Sequence, residues 1–101
     1  IQEYALVVKQ KPGYVAAHLA LAELYLKVNN ADAALAELQE ASRLQAENPL
    51  IYEQIGDLER ACNRSEQAGA AYQSALKYAP DNAFRKRIRG KIRATSFSST
   101  R

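Results

Sequence analysis

Sulfur and histidine are too scarce in this sequence to build the common metal and catalytic centres. It has one cysteine, Cys62, one histidine, His18, and no methionine. A single thiol closes no internal disulfide, and metal sites built on cysteine pairs are excluded. The thiol fits a reducing compartment, so a cytoplasmic location is the expectation it favours. His18 has no second histidine or cysteine to share a zinc ion with, and reads as a packing residue. The four glycines, at 13, 56, 69 and 90, are isolated, so no glycine-rich phosphate loop exists. Tryptophan is absent and there are three prolines, which argues against a β-sandwich with its frequent turns. No apolar run approaches a membrane span, and no signal segment is present. A chain that opens on Ile1 reads as a piece of a longer protein, which leaves its localisation unknown. No cofactor or metal is expected.

What is there is an apolar fraction of 48% in 101 residues, enough for one small helical domain. Charge is unevenly placed. Residues 83–101 hold seven bases (Arg85, Lys86, Arg87, Arg89, Lys91, Arg93 and Arg101) and no acid, whereas residues 1–82 hold seven bases and eleven acids, a balance of −4. An acidic body thus ends in a basic segment.

Sliding the chain against itself by 34 residues aligns His18 with Tyr52, Leu21 with Ile55, Ala22 with Gly56, Ala34 with Ala68, Leu38 with Tyr72, Ala41 with Ala75 and Ala46 with Pro80. The same shift sets Tyr4 on Leu38, Val7 on Ala41 and Pro12 on Ala46. Small positions stay small and large ones mostly stay large, as two packed helices require. Helical spacing predicts a first helix near 14–28 and a second near 31–46, turned by Asn29 and Asn30. The next pair falls near 49–62, with Asn48 as N-cap and Pro49 in the first turn, and near 65–78, with Ser65 as cap. Pro80-Asp81-Asn82 closes that helix and caps another over 83–95, where Phe84, Ile88, Ile92 and Thr95 form one stripe. Residues 96–101 have no periodic pattern and are expected to be a flexible tail.

Leu21, Ala22 and Tyr25 in a first helix, with Ala68, Tyr72, Ala75 and Pro80 in a second, resemble the tetratricopeptide repeat. Glu59 stands where that family usually has tyrosine, and Ala46 where it has proline. The resemblance implies an all-α, right-handed superhelical stack of antiparallel helix hairpins over residues 1–95. It divides into the second helix of a partial repeat at 1–12, repeats at 15–48 and 49–82, and a closing basic helix at 83–95. Fewer than three whole repeats imply a chain that is marginal alone, or that self-associates through its N-terminal half-repeat.

The resemblance also implies a function: a protein-interaction module, adaptor or assembly scaffold, not an enzyme, that holds a peptide or helix in a concave groove lined by first helices. The groove positions carried over are Ala16, Leu19, Glu23 and Leu26, then Leu50, Glu53, Asp57 and Arg60, and finally Phe84, Arg87 and Lys91. Acids in the middle of that list favour a basic partner segment. Family members that grip the tails of cytosolic chaperones use lysine, asparagine and arginine at set positions. Here the matching positions hold Leu19, Glu23, Gln54, Phe84 and Ile88, so that clamp is absent. Glu53 and Asp57 lie four apart on one helical face, but a paired-carboxylate catalyst needs a deep pocket to separate its two acids. An alternative is that Arg85, Lys86, Arg87, Arg89 and Arg93 form a basic patch for nucleic acid or an anionic membrane. Another is that the chain is the non-catalytic arm of a larger enzyme. No small-molecule substrate is expected.

Overall fold

The computed structural model describes the backbone of residues 15–99 and the side chains of residues 15–95. The expected half-repeat at 1–12, with its self-association surface, lies outside the described residues. Those residues form five helices and no strand: α1 (Val15–Lys27), α2 (Ala31–Leu44), α3 (Pro49–Ala61), α4 (Ser65–Lys77) and α5 (Asn82–Ser99). They divide into two compact units, residues 1–46 and 47–101.

In the first unit α1 packs on α2. Ala17, His18, Leu21 and Ala22 of α1 are buried, as are Ala34, Leu38 and Ala41 of α2. Alanine at most of these contacts lets the backbones approach, and the two leucines fill what remains. Leu24 and Tyr25 are only half-buried. The turn between the helices is a Schellman closure. Asn29 takes a left-handed φ of 61°, and the Asn30 amide donates to the Tyr25 carbonyl at 2.8 Å. Asparagine tolerates this conformation better than other residues with a side chain, glycine apart. Asn30 then caps α2, its Oδ1 accepting from the Ala33 amide at 3.2 Å.

In the second unit α4 packs on both α3 and α5. The turn after α3 repeats the first one 34 residues on: Asn63 has φ 62°, and the Arg64 amide donates to the Glu59 carbonyl at 2.8 Å. That closure places Arg64 at the N-cap of α4 and Ser65 inside the helix, so the expected Ser65 cap is not formed and α4 has no side-chain cap bond. Asn48 does cap α3, with Pro49 in the first turn. Asp81 caps α5, its Oδ1 accepting from the Phe84 amide at 2.8 Å. The core joins Ala68, Tyr72 and Ala75 of α4 to Phe84 and Ile88 of α5, with Tyr52, Leu76, Ala79 and Ile92 packed against it. Ile51, Ile55 and Leu58 extend the buried surface along α3. Gly56 sits under the Tyr72 ring: a Cβ there would lie 2.5 Å from Cε1. At the equivalent positions of the first unit stand Ala22 and Leu38, both buried. The smaller position is thus matched to the larger partner in each hairpin. Helix α5 runs on to Ser99, four residues past its expected end at 95.

Candidate functional site

A helix packed on one side keeps its other side for solvent or a partner, and α1 shows this division. Ala17, His18, Leu21 and Ala22 face the hairpin. Ala16, Glu23 and Leu26 are exposed and Leu19 is half-buried. Their spacing of three and four residues puts these four on one face. His18 is held inward, its Nδ1 2.7 Å from Glu37 Oε1. It is a structural residue in this hairpin, as the sequence implied.

The corresponding face of the second unit is built differently. Glu53 is 8% exposed, and its two carboxylate oxygens accept from Arg87 Nε at 2.9 Å and Nη2 at 2.8 Å. Lys91 Nζ donates to Glu53 Oε2 at 2.8 Å and to both Asp57 oxygens at 3.0 Å. Asp57 in turn accepts from the Tyr72 hydroxyl at 2.6 Å. At the other end the Arg87 guanidinium lies 4.8 Å from the centre of the Phe84 ring. One chain of contacts therefore runs from Phe84 through Arg87, Glu53, Lys91 and Asp57 to Tyr72. It ties α3, α4 and α5 together. The forked geometry of Arg87 suits a carboxylate that has lost its water.

This arrangement shifts two groups in the same direction. Burial pushes the Tyr72 phenol up, and its hydrogen bond to Asp57 and that residue's charge push it further. Burial pulls the Lys91 ammonium down, but its hydrogen bonds to Glu53 and Asp57, with their charges, outweigh this and leave it raised. Each folded value lies above the unfolded one. Each contribution to stability is therefore complete below the unfolded value, about pH 10 for both groups, and is lost as pH rises through the folded value. Urea titrations from pH 7 to pH 11 are expected to give a level midpoint up to about pH 9.5 and a fall above it, with Tyr72→Phe reducing the slope. A midpoint level to pH 11 would show that neither group is coupled to folding.

Several expected groove residues thus have other duties. Phe84 is a core side chain, 6% exposed, and does not face a ligand. Glu53 and Asp57 are matched by Arg87 and Lys91 of the same chain, so they do not present surplus acid for a basic segment. Glu53 is itself buried and not a solvated surface acid. Leu50 and Arg60 are exposed. The expected basic patch is also divided: Arg87 is committed to Glu53, and Arg85 donates to Asn82 Oδ1 at 2.9 Å, leaving Lys86, Arg89 and Arg93 on another side of α5. The role of the Tyr72 hydroxyl was not foreseen, although a tyrosine opposite Leu38 in the repeat register was the available signal. Glu59, buried at 5% exposure and bonded by Arg64 Nε at 2.5 Å, was likewise missed. Among the described residues, no cluster of three acids, histidines or cysteines is placed to hold a metal, and no helix is long and apolar enough to cross a membrane.

Comparison with known proteins gives the same architecture. A family model described as a tetratricopeptide repeat-like domain matches residues 3–96. Among solved structures, the first tetratricopeptide domain of Spaghetti (RPAP3), bound to the HSP90 peptide SRMEEVD, superposes with a TM-score of 0.82 at 18% identity, covering 97% of this chain and 75% of that one. The crystal structure of MamA gives a TM-score of 0.82 at 21% identity, covering 96% of this chain and 55% of that one. No curated protein matches the sequence significantly.

Proposed function

We propose a protein-docking role for this chain, which belongs to the tetratricopeptide repeat-like family. The role is that of an adaptor or assembly scaffold without catalysis of its own. Each unit offers a face of its own for docking: Ala16, Leu19, Glu23 and Leu26 on α1 in the first, and Leu50, Asp57, Arg60, Arg87 and Lys91 in the second. One observation carries this reading. Leu26 and Leu50, both on first helices, remain 43% and 52% exposed, whereas the other leucines among the described residues are at least partly buried. Large apolar side chains kept at a surface suit an amphipathic helix or an extended segment.

The peptide-bound RPAP3 domain supports the class of ligand and not its identity. The terminal-carboxylate clamp is absent here by residue type. Two of its positions are also held by Phe84 and Ile88, 6% and 0% exposed, which point into the core. The partner is therefore a segment bound by apolar contacts with a few charges, rather than a chaperone tail gripped by its end.

Selection of peptides from a random displayed library on the wild-type chain tests this. Peptides so selected are expected to lose about tenfold or more in affinity, roughly 1.4 kcal/mol, when Leu26→Asp or Leu50→Asp is introduced. Both residues are exposed, so helix content should be unchanged. Selected peptides indifferent to both changes would remove these faces from the docking surface.

A further inference from the structure

The bases of α5 that face away from α3 form a second surface, independent of the first-helix faces. Lys86, Arg89 and Arg93 recur at i, i+3 and i+7, hence along one stripe. With Asn82, Gln73, Leu76 and Ile92 they line an open cleft of about 690 Å³ between α4 and α5. Leu76 and Ile92 are packed against the core and form an apolar floor. Among the described residues, Lys86, Arg89 and Arg93 make no hydrogen bond or ion pair, in contrast to Arg85, Arg87 and Lys91 on the same helix. Among the described residues, no acid lines this cleft. An adjoining hollow, which shares Gln73 and Ile92, carries Glu66 on the α4 side. The cleft is therefore cationic along α5, apolar along its floor and weakly acidic beyond α4.

We infer that this cleft docks an acidic amphipathic helix of a partner protein, its carboxylates set along α5 and its apolar face on Leu76 and Ile92. Charge complementarity fixes the sign of the ligand. The first and last of the three cations stand seven positions apart, about 10 Å of helix at 1.5 Å per residue, which matches two turns of a ligand helix bearing acids at i, i+4 and i+7. Glu66 fixes the orientation, since an acidic flank on the α4 side would face a like charge.

A nucleic acid fits less well. Among the described residues, none of those lining the cleft is aromatic, so they offer no platform on which bases could stack. The body of the chain, with −4 over residues 1–82, would repel a long polyanion running past the cleft. A membrane surface would leave the recessed apolar floor uncovered.

The test uses the whole chain and a fluorescein-labelled probe of about 15 residues, with leucines at helical spacing and three glutamates along one flank. Controls are a scrambled peptide of equal composition, a single-stranded oligonucleotide and phosphatidylserine vesicles. The probe is expected to bind at least tenfold more tightly than the scramble. Lys86→Glu/Arg89→Glu/Arg93→Glu is expected to lower its affinity at least tenfold. Arg60→Glu and Leu50→Asp, on the first-helix faces, should leave it within twofold, which keeps this result separate from the reading above. If the triple reversal disturbs folding, Arg89→Gln alone should still weaken the probe two- to threefold. Failure of the probe to bind, equal binding of the scramble, insensitivity to these cleft variants, or binding only of the oligonucleotide or the vesicles would each overturn the assignment.

Discussion

Gly56→Ala is expected to destabilise the second unit by about 2 kcal/mol, against the usual effect of replacing glycine within a helix. Alanine at an ordinary helical site would add about 1 kcal/mol through backbone entropy. Here the new Cβ would meet the Tyr72 ring at 2.5 Å, 2.6 Å and 2.9 Å from three of its carbons. The ring has no room to retreat, since Tyr72 is 0% exposed and its hydroxyl is held by Asp57 at 2.6 Å. Overpacking of this kind costs about 1–3 kcal/mol, and the absence of any slack puts this site at or beyond the upper end. A loss of about 10 °C in the thermal midpoint is the corresponding scale for a unit this small.

The first hairpin supplies the control, because its equivalent positions hold Ala22 and Leu38. In the background of Tyr72→Leu, alanine at 56 should cost nothing or stabilise, giving a coupling of at least about 1 kcal/mol in a double-mutant cycle. Circular-dichroism melts of the four proteins measure it. Additive changes would mean that ring and glycine are independent, and that the close approach does not govern this site.

The second large effect is at Glu53. Reversal to arginine would place a third cation beside Arg87 and Lys91 in a position 8% exposed. Breaking a buried ion pair costs about 3–5 kcal/mol because the remaining charge loses its partner. Glu53→Arg is therefore expected to cost about 3 kcal/mol or more. Arg87 is half exposed at its side chain and can turn to water, which limits the loss. Glu53→Gln keeps a hydrogen-bonding group and should cost nearer 1 kcal/mol. Chemical denaturation measures the total, and hydrogen exchange along α5 should rise first in the arginine variant. Adding Arg87→Glu to it should restore part of the loss. A variant as stable as the wild type would show that the network contributes no net stability. Charge reversal at Glu53 is thus a test of folding, and cannot serve as a clean test of partner binding.

The fold was legible because packing in a hairpin imposes residue size at fixed intervals. Ala34 with Ala68 and Ala41 with Ala75 show that constraint on the page, as does Asn48-Pro49 for a helix start. The Ser65 cap failed because cap residues compete locally: the turn around Asn63 uses the Arg64 amide, and the helix begins at Ser65, one residue earlier than a serine cap there allows. The site was legible only as a set of positions. Glu53 with Arg87 and Asp57 with Lys91 each stand 34 apart. Equivalent places of successive repeats carrying opposite charge were the signal that acids and bases would neutralise one another. Reading each repeat separately, as a list of groove residues, hid it. Phe84 was misplaced for a related reason: on α5 one aromatic satisfies both a groove pattern and a core stripe, and burial decides between them.

The matching of Gly56 to Tyr72, and of Ala22 to Leu38, also bears on how such chains can be recombined. Each hairpin carries a compatible couple within itself, so neither α3 nor α4 can be exchanged alone for its counterpart without a clash or a void. The hairpin is therefore the smallest inheritable part: duplication, grafting or shuffling at its boundaries preserves the fit, whereas cuts at the turns around Asn29 or Asn63 do not.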